Sequence, residues 1–176
     1  MHLKRRGLAW ARNRERKMLL HHTSPNVITK LTDGSNYIFG DCLFFSTDVY
    51  SASGGPVHVY ELEQDDDSII EECRLYNAES VGEVIHSAWA HLDIRIDEET
   101  AGSLLDGSMD VYELAPAYLC DGTPYADLGW QIQRIQGECA VKMGYQGCEA
   151  FDEQGTVYII PMRDREHELN LVESPN

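Results

Sequence analysis

The chain has 176 residues, of which 43% are hydrophobic and 25% are charged, so it is long enough and apolar enough to fold as one globular domain. This composition excludes a wholly disordered chain, and no apolar run reaches the roughly 18 residues that a membrane-spanning helix needs. With 30 acidic residues against 14 Lys and Arg, the net charge is −16, which disfavours direct binding to nucleic acid because such binding needs cations that displace counterions.

The first 17 residues differ in charge from the rest of the chain. They contain seven Lys and Arg and a single acid, Glu15, so residues 1–17 carry +6 and residues 18–176 carry −22. We therefore divide the chain into a basic N-terminal extension over 1–17 and one domain over 18–176. The apolar stretch 7–11 is too short for the core of a signal peptide. The acidic domain is either simply soluble or suited to a basic partner.

Short strands and turns are predicted in the first part of the domain. The apolar run 18–23 ends at Ser24-Pro25, which indicates a strand followed by a turn. The apolar run CLFFS and the alternation after the Gly-Gly-Pro turn predict further strands. A short helix is expected over 47–52, with Thr47 or Asp48 near its cap. The predicted later strands span 42–46, 57–63 and 68–74.

The second part of the domain is mainly helical, with two strands near its end. Apolar residues at helical spacing predict amphipathic helices over 78–92, 97–105 and 126–143. A Pro-, Gly- and Tyr-rich loop is expected over 115–125, strands over 145–150 and 155–161, and a polar tail from Arg163. Strands at both ends with helices mainly between them predict an α+β fold rather than a regular β-α-β series.

Several common functional motifs are missing or have the wrong spacing. No G-x-G-x-x-G or P-loop supports a Rossmann or nucleotide-hydrolysing fold. His86 and His91 are five residues apart, the wrong spacing for two ligands on one helical face, so we predict no metal site. The five cysteines form no C-x-x-C pair, which indicates a reduced cytoplasmic protein. A Cys–His hydrolase built on Cys42 lacks a nucleophile motif, so we favour a buried structural cysteine.

Polar and aromatic residues at three strand ends form a more specific set. The sequence HHTS closes the first strand at residues 21–24, and LFFSTDVY joins the second strand to its turn at residues 43–50. The acidic turn FDEQG at residues 151–155 follows a G-Y-x-G sequence and a strand. In this order, the three segments resemble the mono-ADP-ribosyltransferase fold, whose core is a split β-sheet with flanking helices.

A longer set of segments narrows the resemblance. The segments HHTSPNVIT, FGDCLFFSTDVY, WQIQRIQ and DEQGTVYII are similar to the ADP-ribosyltransferase-type anti-CRISPR proteins directed at the type I-F system, from about Met18 to Met162. The resemblance implies an enzyme that transfers ADP-ribose from NAD, its co-substrate, to the large subunit of the type I-F Cascade (Csy) surveillance complex, which recognises DNA at the PAM. It implies that target-DNA binding is blocked, in the cytoplasm of the bacterial host.

The same resemblance assigns residues to NAD binding. The first-strand His of the family, which bonds the adenosine-side ribose, matches His22, and His21 faces the other way because adjacent strand residues alternate. Thr23 and Ser24 are expected to add polar contacts. Phe45 and Tyr50 are expected to hold the nicotinamide ring between them.

Asp152 is the expected catalytic carboxylate, which would bond the ribose 2′-hydroxyl and stabilise the ribosyl cation. Ser46 is expected to brace it. Glu153 and Gln154 are its rivals within the same turn, and Glu153 is also a candidate for cofactor contact. Many transferases of this fold use Glu at the catalytic position, so Asp-Glu-Gln argues against arginine as acceptor. It fits an asparagine acceptor, the type reported for the family.

Two alternatives remain open at the level of sequence. The acidic domain could mimic DNA and bind the surveillance complex stoichiometrically, with strong salt dependence. The chain could also be an ADP-ribosyltransferase toxin with another host target. The middle segment, residues 64–125, has no readable motif and is expected to carry partner specificity.

Overall fold

Strands in two sheets and two α-helices make up the part of the chain that the computed structural model describes, which is residues 16–31, 39–50, 55–75, 96–115, 124–152 and 155–175. The strands are β1 (Lys17–Ser24), β2 (Cys42–Phe45), β3 (His58–Asp65), β4 (Ile69–Glu71), β5 (Gly147–Asp152), β6 (Gly155–Pro161) and β7 (Asn170–Glu173). The helices are α1 (Glu98–Leu105) and α2 (Tyr125–Lys142). Short 3-10 helices lie at Asp66–Ser68, Glu72–Arg74, Val111–Glu113 and Glu166–Glu168.

The two sheets meet between β1 and the end of β2. One sheet has the order β1-β3-β7, and the other has the order β2-β6-β5-β4, in which β4 and β5 are parallel. Reciprocal backbone hydrogen bonds of 2.8 and 3.0 Å between His21 and Ser46 form a bridge from one sheet to the other. This arrangement confirms the predicted α+β fold with a split β-sheet core.

Apolar side chains stabilise the split sheet from two sides. Helix α2 packs on β5 and β6 with its predicted apolar stripe, which includes Leu128, Ile132, Ile135 and Cys139, all buried. A second cluster joins β1, β2, β3 and β6 and so holds the two sheets together. Its largest fully buried members are Leu20, Phe45, Leu62, Ile160 and Met162.

Most predicted elements are present, with shifts of a few residues at their ends. The helix predicted at 47–52 is wrong for residues 47–50, which are not helical because side chains of β1 bond that segment. The strand predicted at 68–74 is only Ile69–Glu71, followed by the 3-10 helix Glu72–Arg74. Strand β7 was not predicted, because all four of its residues are exposed and carry no apolar alternation.

Some sequence predictions concern residues outside the described part of the chain. The helix predicted over 78–92, with His86 and His91, is one, and Cys120 and most of the 115–125 loop are others. Residues 1–15 of the basic extension also lie outside, whereas Lys17 already belongs to β1. Over the described ranges, no helix combines the length and the apolar character needed to cross a membrane.

Candidate functional site

A cleft of about 700 Å³ lies where the two sheets meet. Its wall is formed by the end of β1, by β2 and the turn after it, by α2 and by the facing ends of β5 and β6. Ligand pockets of proteins typically measure roughly 300–1,000 Å³, so the cleft can hold an extended small molecule. It brings together all three segments that the sequence singled out. The candidates that line it are His22, Thr23, Ser24, Phe45, Ser46, Tyr50 and Asp152.

The turn after β2 is bonded to β1 along its length. The His21 Nδ1 atom lies 3.1 Å from the Thr47 carbonyl oxygen, and the Thr23 hydroxyl donates to the Tyr50 carbonyl at 2.6 Å. Alternate residues of a strand face the same side, so residues 21 and 23 together hold this turn. His21 also lines the cleft, so the prediction that it faces the other way is wrong. Tyr50 therefore keeps a fixed backbone position while its side chain is 48% exposed at the cleft.

Ser46 and Ser24 have local partners in the structure. The Ser46 hydroxyl donates to the Asp48 carbonyl oxygen at 2.5 Å, within the turn itself. Its proton is thus directed along the turn, whereas the sequence led us to expect it to brace Asp152. The Ser24 hydroxyl accepts the backbone N–H of Asn26 at 3.2 Å, as expected for a Ser-Pro turn.

His22 is held against β2 in a neutral form. Its Nδ1 atom lies 2.8 Å from the Phe44 carbonyl oxygen. Burial lowers the pKa of His22, although the hydrogen bond to the Phe44 carbonyl acts in the opposite direction. A neutral imidazole that donates from Nδ1 has a lone pair on Nε2, so His22 can accept a hydrogen bond from a hydroxyl group in the cleft.

The aromatic lining of the cleft differs from the expected pair. Phe45 is only 1% exposed, so it closes the cleft from the core side and offers almost no ring surface for stacking. The next residue back, Phe44, packs edge-to-face on Phe39 with 5.0 Å between ring centroids, and Phe39 lies 5.4 Å from Trp130 of α2. Trp130 is 43% exposed and lines the cleft with Tyr50.

Sequence reasoning did not single out Trp130. It lies beside the buried stripe of α2 rather than within it, so helical periodicity indicates only an outward position. The signal that contained it was the resemblance of the segment WQIQRIQ. Its approach to the cleft depends on how α2 packs across β5 and β6, which no local pattern specifies.

Asp152 occupies the last position of β5, half-buried at the cleft. It pairs with Gly155, the first residue of β6. Gly155 has a φ of 115°, a backbone conformation that favours glycine, so a side chain at this pairing position would be strained. The rival candidates Glu153 and Gln154 lie outside the described residues.

Comparisons with known proteins identify the family of the chain. A family model described as "Anti-CRISPR Type I-F ADP-ribosyltransferase AcrIF11" matches residues 18–166. The chain belongs to the AcrIF11 family. A solved structure titled "Crystal structure of an anti-CRISPR protein" is 26% identical to the chain and covers 82% of it and 89% of its own length, with a TM-score of 0.47. No curated protein matches the sequence significantly.

Membership of the AcrIF11 family identifies the chain as an anti-CRISPR ADP-ribosyltransferase, as the sequence predicted. The matched region contains every residue of the cleft wall. Cys42, which was considered as a nucleophile, is 1% exposed, and its Sγ atom lies 3.7 Å from the Arg134 carbonyl oxygen. Burial raises the pKa of the Cys42 thiol well above its usual range, so it remains protonated and serves packing in this AcrIF11-family protein.

Within the described ranges, no group of three or more His, Cys, Asp or Glu side chains is arranged to hold a metal ion.

Proposed function

We propose that this protein transfers ADP-ribose from NAD to the large, PAM-recognising subunit of the type I-F Cascade (Csy) complex and thereby blocks binding of target DNA. The proposed place of action is the cytoplasm of the bacterial host. One feature of the cleft supports this function above all others. His22 lies in one sheet, Asp152 in the other and Tyr50 in the turn after β2, yet all three line one cleft.

The cleft has suitable groups for both ends of NAD. The neutral His22 accepts a hydrogen bond from a ribose hydroxyl through Nε2. Thr23 and Ser24 add polar groups at the end of β1. Tyr50 supports the nicotinamide ring with its exposed side chain, and the buried Phe45 closes the cleft on the core side. Ser46 keeps the turn in place, and Glu153 remains a candidate for contact with the substrate.

The transfer requires the breaking of one bond and the formation of another at the same carbon. The bond between ribose C1′ and the nicotinamide nitrogen breaks, and its electron pair leaves with nicotinamide, which departs as a neutral molecule. A lone pair of the acceptor side chain then bonds C1′, and the acceptor loses a proton to solvent water. Asp152 stabilises the positive charge on the ribose between these two events and holds the 2′-hydroxyl.

The charge of the domain supports a DNA-binding protein as the acceptor. Residues 18–176 carry −22, which favours encounter with the basic surface of a DNA-recognising subunit. One ADP-ribose adds bulk and two phosphate charges at a position that DNA phosphates must otherwise occupy. A single modification therefore suffices to block DNA, and a catalyst achieves this below the concentration of its target. We take an asparagine side chain as the acceptor.

Intact-mass spectrometry of the purified type I-F complex tests this function directly. After incubation with the protein, we expect the mass of one ADP-ribose on the large subunit when NAD is present and none when NAD is omitted. Tight binding without added mass would instead support the stoichiometric DNA mimic. Modification of another host protein, with the complex left unmodified, would support the toxin alternative.

Trp130 is expected to contribute to NAD affinity. Ring stacking contributes about 0.5–1.5 kcal/mol, so Trp130→Ala should raise the KM for NAD by roughly 2–10-fold, whereas Trp130→Phe should change it less. The KM of both variants is obtained from the steady-state rate of nicotinamide release at varied NAD concentrations. Tyr112→Ala is the matched control, because Tyr112 is 65% exposed and does not line the cleft. An equal rise in KM for the control would contradict a stacking role.

A further inference from the structure

A glutamate side chain supports the end of the strand that carries Asp152. Strand β4 pairs with β5 only as far as Glu71, which lies opposite Glu149. Strand β5 continues for three residues beyond this pair, up to Asp152. On the edge of β5 that faces β4, the backbone N–H of Phe151 donates to Glu72 Oε1 at 3.2 Å. The Glu72 carboxylate thus takes the place of the missing strand partner, immediately before Asp152.

Three elements fix the position of the Glu72 side chain. The buried amide of Gln136, 3% exposed on α2, donates through Nε2 to Glu72 Oε2 at 3.0 Å and to the Leu105 carbonyl oxygen at 2.9 Å. After α1, Gly107 has a φ of 72°, and a Cβ atom there would lie 2.8 Å from Glu72 Cδ. The half-buried carboxylate therefore lies between the turn after α1, helix α2 and strand β5.

The location is electrostatically unfavourable for a carboxylate, which argues against an incidental contact. Burial raises the pKa of Glu72, while the hydrogen bonds from Phe151 and Gln136 oppose this rise. The negative charges of Asp106 and Asp152 raise it further. An amide or hydroxyl oxygen could accept from the same N–H without this penalty. What the contact with Phe151 requires of residue 72 is therefore an acceptor oxygen at the full reach of the side chain.

We propose that Glu72 is a positioning residue for Asp152. Its carboxylate, held by Gln136, fixes the backbone at Phe151 so that the next side chain enters the cleft. This role rests on the function proposed above, in which Asp152 acts on the ribose of NAD. Glu72 does not line the cleft and is not a catalytic residue.

Three substitutions at position 72 separate the geometric role from the charge. Glu72→Ala removes the acceptor for the Phe151 N–H, Glu72→Asp keeps the charge but shortens the reach, and Glu72→Gln keeps an acceptor oxygen at full length. Small displacements of a reacting group cost up to about 100-fold in rate, so we expect kcat to fall roughly 10–100-fold for the Ala and Asp variants. The Gln variant should retain a higher kcat than either.

The KM for NAD should stay within about twofold in all three variants, because His22, Tyr50 and Trp130 belong to other elements. Glu71→Gln is the matched control, since it makes the same change one residue earlier on an exposed side chain, and its kcat should equal that of the wild type. If Glu72 only stabilised the fold, the fall in kcat of each variant would follow its fall in melting temperature. The Gln variant would then not exceed the Asp variant in kcat.

Wild-type kcat in folded Glu72→Ala and Glu72→Asp would overturn the inference, and so would a raised KM at unchanged kcat. If the Ala variant does not fold, the comparison of Asp with Gln decides in the same way. The activity of the wild type shows whether the positioning role of Glu72 or the proposed ADP-ribose transfer has failed. If the wild type transfers ADP-ribose and the Glu72 variants transfer it at the same rate, only the positioning role is wrong. If the wild type transfers none, both are wrong.

Discussion

Replacing Asp152 by Asn should lower ADP-ribose transfer by about 100–1,000-fold, the loss typical when a preorganised group that stabilises transition-state charge is removed. The Asn side chain has nearly the same shape, so the cleft and the Asp152–Gly155 pairing should persist. What disappears is the negative charge beside the ribosyl cation. We therefore expect kcat to fall while the affinity for NAD changes little.

The measurement is the rate of ADP-ribose addition to the type I-F complex, together with inhibition of its DNA binding. Asp67→Asn is the control, because it removes one charge from an exposed position outside the cleft lining. If Asp152→Asn still inhibits the complex as strongly as the wild type, and salt relieves that inhibition, the acidic domain acts as a DNA mimic and not as an enzyme.

Gly147→Ala, at the first residue of β5, should clearly destabilise the protein. A Cβ atom at Gly147 would lie 2.8 Å from the Ile159 backbone oxygen and 2.8 Å from Ile160 Cγ1. The backbone atom cannot move without breaking the β5–β6 ladder, so overpacking should cost about 1–3 kcal/mol. Each kcal/mol lowers the melting temperature by roughly 2–4 °C in a domain of this size.

Gly55→Ala provides a matched comparison, because an added Cβ there meets no atom within 4 Å. We expect its melting temperature to equal that of the wild type or to rise slightly, since alanine restricts the unfolded chain more than glycine does. Thermal unfolding of both variants under identical conditions gives the comparison. Equal melting temperatures of the Gly147→Ala and Gly55→Ala variants would contradict the close packing of β5 on β6 at Gly147.

The sequence predicted those elements whose apolar residues are buried with a clear period. Helix α2 is of this kind, because it buries a stripe at helical spacing, and β6 was predicted from a continuous apolar run, of which Tyr158, Ile159 and Ile160 are buried. Strand β7 has no such set and is recruited by backbone pairing with β3. The segment 47–50 was mistaken for a helix, because its bonds to His21 and Thr23 come from residues about 25 positions earlier.

In the candidate site, too, residues within short sequence segments were predicted, whereas residues that depend on contacts between distant elements were not. His22, Tyr50 and Asp152 were found through the order of short segments that resemble a known family. Trp130 and Glu72 were missed, because each depends on how one element packs against another. Glu72 in particular follows a three-residue strand and gains its partner 79 positions later. No periodicity or motif in a single sequence contains that contact.

The bridge between the two sheets has a consequence for how this protein can diverge. His21 and Ser46 join the sheets through main-chain N–H and C=O groups, which every residue except proline supplies. Substitutions at these two positions can therefore accumulate without separating the strand that carries His22 from the sheet that carries Asp152. The two walls of the cleft can thus stay in register even when the side chains at positions 21 and 46 change.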